Sequence, residues 1–300
     1  MKKLIPLTSL LLLAIANLHA QDTSPKKLPT IQEGNTRAPA NVKIDGKLTE
    51  WNDSFQAYNK VTHLYYTVAN DDKNLYLIIK TSDATTNAKI TAGGITLAIN
   101  TEGKKKDKDV YSLTYPIIPR NTGRPAGGNF NTVGGGGGVR TMSVMIGGPG
   151  GGQRGSAPDS AMIKAAHERT VNAAKEIKVS GFKDITDSLI AIYNEYDIKA
   201  TIGYDKEGSF VYELAVPLKL LSMAADSKNE IAYNIKLNGL QLNFRMPDNA
   251  EGPPAGGGAP GGGMRVMTFG GPPGGGKGGI DFQELTSASD FWGKYTLAKK

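Results

Sequence analysis

The clearest hydrophobic pattern of the chain lies between Leu64 and Thr81. Two runs rich in aromatic and β-branched residues, 64–69 and 75–81, flank the polar segment 70–74, and this arrangement predicts a β-hairpin. The Asn and Asp residues of that segment suit a turn, since they tolerate left-handed angles and hydrogen-bond their own backbone. The second run is almost continuously apolar, which is typical of a strand buried on both faces. We therefore place this hairpin at the centre of the fold.

The other apolar patterns predict mostly short strands joined by polar turns. These strands are expected near 95–100, 110–115, 188–193, 197–204, 209–216, 230–242 and 291–297. A short helix is predicted over 84–92, where Gly93 and Gly94 follow as a stop signal. A second helix is predicted from a cap at 158–160 to about Ile177. The expected fold class is therefore mostly β, an antiparallel β-sandwich with a short inserted helix.

The first 41 residues differ from the rest of the chain. Lys2 and Lys3, an apolar run from Leu4 to Leu18 and a small residue at Ala20 are typical of a signal peptide over 1–20. Residues 21–41 are rich in proline and lysine without apolar periodicity, so we predict a flexible leader. Export to the periplasm or the cell exterior follows. No later run reaches the ~18 consecutive apolar residues of a transmembrane helix, so no integral membrane segment is expected after cleavage.

Glycine is concentrated in two segments. Residues 123–155 contain 14 glycines and residues 252–279 contain another 14, together 28 of the 38 in the chain. We therefore predict one β-sandwich domain over 42–300, interrupted by Gly-rich, low-complexity insertions at 123–158 and 248–280. Each insertion holds a similar island in which an arginine, Arg140 or Arg265, precedes a methionine by two residues and a Gly-Gly-Pro exit follows. The islands are either an internal repeat or the convergence of biased sequence.

Several blocks together resemble family 9 carbohydrate-binding modules and DOMON-like domains. The first joins Ile44-Asp45-Gly46 to Glu50-Trp51, and the second runs from Ala69 to Leu77. The third is Tyr212–Leu218, with its acidic residue and proline, and the last begins at Trp292-Gly293. The blocks follow the family's order across residues 42–300. The resemblance implies an antiparallel β-sandwich that binds a ligand, most often a carbohydrate, without catalysing a reaction.

Sugar-binding members of that family hold the ligand between aromatic side chains. Trp51 is expected to be buried at one end of the sandwich, which leaves a small set of exposed aromatic and arginine residues as candidates. The candidate ligand-binding residues are Trp292, Tyr193, Tyr196, Tyr65, Arg140 and Arg265. A tyrosine face can stack on a sugar ring as well as pack in a core, so both roles stay open for each tyrosine.

Signals for other chemistries are weak. His167-Glu168 begins a zinc-protease motif, but Val171 stands where the second histidine belongs. The chain has no cysteine and no phosphate-binding Gly-Lys-Ser/Thr sequence, and we predict no catalytic residue, no metal site and no cofactor. The formal charge of +7 falls to +5 when Lys2 and Lys3 leave with the signal peptide. The basic run 104–108 lacks the stacking aromatics of a nucleic-acid site, so we read it as a solvated hairpin tip.

The sequence thus favours an exported, non-catalytic module that binds a polysaccharide or a cell-envelope glycan. The alternative is a structural or protein-interaction protein of the cell envelope that acts through its Gly-rich arms. The sequence does not identify the ligand.

Overall fold

The computed structural model describes residues 27–119, 160–240 and 282–300, and the Gly-rich islands and the predicted signal peptide lie outside this part of the chain. The described chain forms two antiparallel sheets packed face to face, so the predicted β-sandwich is confirmed. The strands are β1 Ala57–Asn59, β2 Leu64–Asn70, β3 Asn74–Thr81, β4 Ile95–Asn100, β5 Tyr111–Ile117, β6 Glu176–Ser180, β7 Leu189–Ala191, β8 Lys199–Tyr204, β9 Phe210–Pro217, β10 Glu230–Leu237 and β11 Ser289–Thr296. The helices are α1 Ala84–Gly93, α2 Ser160–Ala173 and α3 Phe282–Thr286, with a 3₁₀ turn over Leu218–Leu221. Within the described ranges no helix is long and apolar enough to cross a membrane.

The predicted hairpin forms the middle of the first sheet. That sheet has the order β1-β2-β3-β9-β8, and the second has the order β11-β10-β4-β5-β6-β7. β3 is therefore a central strand, and Leu75–Ile79 are all buried. Alternate residues of β3 face the core between the sheets, and the others face a layer of chain that covers the outside. This two-sided burial explains the almost continuous apolar run in the sequence.

The core between the sheets contains several buried tyrosines, two of which are hydrogen-bonded to each other. Tyr66 on β2 and Tyr233 on β10 face each other across the sandwich, with their hydroxyl oxygens 3.2 Å apart. Gly293 on β11 leaves room for the Tyr233 ring, because a Cβ at this position would lie 2.1 Å from that ring. The glycine of the closing block is therefore required by packing.

The N-terminal segment corrects one prediction. Residues 27–41 were expected to belong to a flexible leader, but they run along the edge of the first sheet. The buried side chain of Gln32 accepts a hydrogen bond from the Val68 N–H and donates one to the Val68 carbonyl, both at 2.8 Å. Arg37 forms a parallel bridge with Asn70 further along β2. The segment thus satisfies backbone groups that an edge strand would otherwise leave open, a role that needs no apolar periodicity.

The second helix is also shorter than predicted. α2 ends at Ala173, whereas the sequence pattern extended it to Ile177. Ile177 lies instead on β6, where it and Val179 point into the core while their neighbours face outward. The pairing of β6 with β5 decides this boundary, because it satisfies the backbone of residues 176–180 in the sheet.

Residues 38–55, the covering segment, pack over the outer face of the first sheet. Trp51 is buried there against Tyr76, with ring centroids 6.0 Å apart in an edge-to-face arrangement. The expected burial of Trp51 is therefore found, but it covers a sheet face and does not close an end of the sandwich. Within the segment, Asn52 and Asp53 both adopt left-handed backbone angles, which Asn and Asp tolerate better than most residues. These two residues turn the chain towards β1.

The strands β5 and β10, which precede the two expected Gly-rich insertions in the sequence, end on the same side of the second sheet. β5 and β10 lie on either side of β4 and run in the same direction, since each is antiparallel to it. Ile95, the first residue of β4, pairs with Tyr115 on one side and Leu237 on the other. The two strands are therefore about 10 Å apart where they approach the segments 120–159 and 241–281.

Candidate ligand-binding site

Three aromatic side chains on the outer face of the first sheet form one cluster, which we name the aromatic platform: Tyr58 and Tyr65 from its strands and Phe55 from the covering segment. Tyr58 on β1 pairs directly with Tyr65 on β2, and their ring centroids are 4.4 Å apart. The centroid of the Phe55 ring lies 5.8 Å from the centroid of the Tyr65 ring. Tyr65 remains 40% exposed, while Phe55 and Tyr58 are half-buried. The platform therefore offers an aromatic surface to solvent that neighbouring rings hold in place.

Three charged side chains border the platform, and we name them the charged trio: Asp53, Lys80 and Asp205. Lys80 is the cross-strand partner of Tyr65, which places their Cβ atoms about 5 Å apart. The Lys80 Nζ atom lies 2.8 Å from Asp205 Oδ2 and 3.2 Å from Asp53 Oδ1. Burial opposes the charge of Lys80, but hydrogen bonds to the two carboxylates outweigh it and raise its pKa. The lysine that two carboxylates hold thus occupies the strand position opposite an exposed aromatic residue.

Local turns position the two aspartates of the trio. Asp205 begins the turn between β8 and β9, where its Oδ1 atom accepts from the backbone N–H groups of Glu207 and Ser209. These bonds and Lys80 lower the pKa of Asp205 against the opposing effect of burial, so this carboxylate is ionised at neutral pH. Asp53 belongs to the covering segment. Its position therefore depends on what holds that segment to the sheet.

A buried carboxylate anchors the covering segment. Glu213 projects from the middle of β9, and its Oε2 atom accepts hydrogen bonds from the backbone N–H groups of Asp45 (3.0 Å) and Gly46 (2.8 Å). Its other oxygen, Oε1, has no hydrogen-bond partner among the described residues. Burial raises the pKa of Glu213 to about 7, more than the two backbone N–H groups lower it. A Cβ on Gly203 would lie 2.3 Å from the Gly46 carbonyl oxygen, so β8 also needs a glycine here.

The candidate ligand-binding residues predicted from the sequence lie in different parts of the structure. Tyr65 lies in the aromatic platform. Tyr193 is 87% exposed in the loop between β7 and β8, and Tyr196 in the same loop packs partly against the core. Asn194 orders this loop, because its side-chain oxygen accepts from the backbone N–H groups of Tyr196 and Ile198. Arg140 and Arg265 lie outside the described residues.

Trp292 lies on the other sheet. It is half-buried on β11, and alternation along that strand points it away from the core, since Phe291 and Tyr295 face inward. Its cross-strand partner Asn234 donates a hydrogen bond to Asp290 at 2.6 Å. Trp292 therefore faces outward on the second sheet, whereas Tyr65 faces outward on the first. The structure does not bring the two together in one site.

The partners of Tyr65, namely Phe55, Tyr58 and the charged trio, are not among the candidates predicted from the sequence. Part of this arrangement is readable from the hairpin, because a turn over 70–74 sets Tyr65 opposite Lys80. The contribution of Asp205 depends on β9 lying beside β3, which no local pattern indicates. The contributions of Asp53 and Phe55 depend on the path of the covering segment.

No protein-family model matches this chain, and no curated protein matches it. Within residues 27–119, 160–240 and 282–300, no three His, Asp or Glu side chains are arranged to hold a metal ion.

Proposed function

We propose that this protein is an exported, non-catalytic β-sandwich module that binds carbohydrate, and that the aromatic platform beside the charged trio is its sugar-binding surface. One observation carries the proposal: an exposed tyrosine, braced by two further rings, stands next to fixed carboxylate and ammonium groups. The C–H face of a sugar ring packs against the electron-rich face of an aromatic ring. Its hydroxyl groups hydrogen-bond to charged side chains, which accept or donate more strongly than neutral ones.

The resemblance to family 9 carbohydrate-binding modules supports the same class of function. Two of the blocks that carry it meet in space, because the amides of Asp45 and Gly46 hold Glu213 of the Tyr212–Leu218 block. In this chain those blocks build the framework that fixes Asp53 and Phe55. The platform itself uses residues outside the blocks, so its ligand need not be the family's.

Affinity electrophoresis of the purified protein tests the proposal, in gels that contain neutral β-glucan, xylan or mannan. We expect at least one polymer to retard the protein. Tyr65→Ala is expected to abolish the retardation, because stacking is lost, and Tyr65→Phe is expected to keep most of it, because the ring remains.

Tyr193→Ala is the matched control. It removes a more exposed tyrosine in the loop between β7 and β8, so it leaves both the aromatic platform and the charged trio intact. The proposal fails if no polymer retards the protein, or if Tyr65→Ala and Tyr193→Ala change the retardation to the same extent.

A second candidate function is protein interaction through the Gly-rich arms. It is favoured by the positions of β5 and β10, which precede residues 120–159 and 241–281 and run in the same direction about 10 Å apart. Arms that follow two such neighbouring strands can contact the same partner. Deleting 123–155 and 252–279 separates the two functions: carbohydrate binding should survive the deletions, whereas an interaction through the arms should be lost.

A further inference from the structure

The first sheet carries a second concave feature on its outer face. A groove of about 870 Å³ lies beside the covering segment, on the side away from the aromatic platform. Its floor includes Tyr76 and Ala215, which are cross-strand partners on β3 and β9. Tyr76 is four residues from Lys80 along β3, so the groove and the charged trio are roughly 13 Å apart. This volume lies in the ordinary range of ligand-binding clefts.

Four lysines line this concavity, which we name the lysine groove: Lys43 on the covering segment, Lys73 in the hairpin turn, Lys199 on β8 and Lys219 in the 3₁₀ turn. All four are exposed, so their flexible stems can bring ammonium groups to a bound chain. Lys43, Lys73 and Lys199 form no ion pair with any other described residue.

The acidic residues of the groove already have cationic partners. Asp72 lies 2.6 Å from Arg37 and 3.1 Å from Lys300, and hydrogen bonds from both lower its pKa. Asp197 lies 3.9 Å from Lys219. With the neighbouring Arg37, Lys300 and Asp71 counted, six cations face three carboxylates around the groove. Its field therefore attracts anions.

We propose that the lysine groove binds an anionic polysaccharide. A groove that is open along the sheet face accepts an extended chain, and three unpaired lysines supply point charges for carboxylate or sulfate groups on successive sugars. A single-stranded nucleic acid fits poorly, because its bases need exposed rings to stack on. The aromatic ring of the floor, Tyr76, is buried, and its hydroxyl donates to Asp71 at 2.7 Å.

The choice of a polysaccharide rests on the proposed function, whereas the anion preference rests on the groove alone. The sugar-binding role of the aromatic platform and the anion preference of the lysine groove can therefore be refuted independently. Tyr65 variants report on the aromatic platform, and lysine variants report on the groove.

Two matched pairs of polymers test this inference by affinity electrophoresis and isothermal titration calorimetry. Polygalacturonate is compared with its methyl ester, and dextran sulfate is compared with dextran, so that each pair has the same sugar backbone with and without the negative charge. The protein is expected to bind at least one charged polymer at least tenfold more tightly than its neutral form, and less tightly as salt is added. The preferred pair distinguishes carboxylate from sulfate.

The triple variant Lys43→Gln/Lys73→Gln/Lys199→Gln should weaken binding of the charged polymer by about tenfold, since each exposed ion pair contributes little alone. The control is Lys105→Gln/Lys106→Gln/Lys108→Gln, which removes the same charge from the hairpin tip and should leave binding nearly unchanged. Equal losses in both variants would mean a general charge effect and overturn the groove as the site. Equal affinity for the charged and neutral polymers, or no binding of either charged polymer, would also overturn it.

Discussion

The buried Glu213 makes the stability of the protein depend on pH in a direction that can be calculated. Burial raises its pKa to about 7, from an ordinary value of 4.5, against the hydrogen bonds from Gly46 and Asp45. The folded protein therefore keeps this proton to a higher pH than the unfolded chain does. The stabilisation is fully present below pH 4.5 and is lost as the pH rises through about 7. At about 1.4 kcal/mol for a change of one in pKa, the whole effect is about 3 kcal/mol.

Glu213→Gln isolates this effect. The glutamine is a neutral replacement of the same shape, and its side-chain oxygen can still accept from the amides of Asp45 and Gly46. The free energy of unfolding of the variant, relative to the natural protein, should therefore increase by about 2–3 kcal/mol between pH 5 and pH 8. Urea denaturation at a series of pH values measures it, with the fluorescence of Trp51 and Trp292 as the signal.

Glu33→Gln, at an exposed position, serves as the control and should show no such trend. A constant difference between Glu213→Gln and the natural protein would show that Glu213 does not titrate in this range. If the free energy of unfolding of the variant, relative to the natural protein, fell as the pH rises, the two amides would be holding an ionised carboxylate. Either result would refute the assignment of desolvation as the dominant cause.

Three further substitutions test the packing by urea or thermal denaturation, each against an exposed-site control. Gln32→Ala should lower the free energy of unfolding by about 2 kcal/mol, because it leaves the buried N–H and C=O of Val68 without partners; no loss would show that the N-terminal segment contributes nothing to the sheet edge. Asp83→Ala should lower the free energy of unfolding by about 1 kcal/mol, because the Asp83 side chain caps α1. Asp83→Asn should keep most of that stability, because asparagine also caps helices. Gly203→Ala should lower the free energy of unfolding by about 1–3 kcal/mol, because the new Cβ clashes with the Gly46 carbonyl oxygen. An unchanged denaturation midpoint would contradict this close approach.

The arrangement of the outer face links stability to the candidate site. Glu213 and Trp51 both hold the covering segment, and that segment carries Asp53 and Phe55 to the platform. The same segment forms one wall of the lysine groove through Lys43. Variants that loosen it are therefore expected to weaken binding at both surfaces, which is why the tests of binding use exposed side chains only.

Local sequence signals account for the features that depend on neighbouring residues. The 64–81 hairpin, the helix α1 with its Gly94 stop and the turn at 205–208 are set by alternation, capping and turn chemistry. Each of these signals acts within a few residues, so the chain records it locally. The same signals were sufficient to predict an antiparallel β-sandwich.

The two candidate binding surfaces, in contrast, depend on contacts between residues that are far apart in the sequence. β9 lies beside β3 although more than a hundred residues separate them, and this pairing brings Asp205 to Lys80. Gln32 holds the sheet edge through main-chain hydrogen bonds, which leave no hydrophobic pattern, so its segment resembled a flexible leader. Contacts between distant parts of the chain provide hydrogen-bond partners for backbone groups and bring opposite charges together. Neither effect produces a pattern among adjacent residues, so it cannot be predicted from the local sequence.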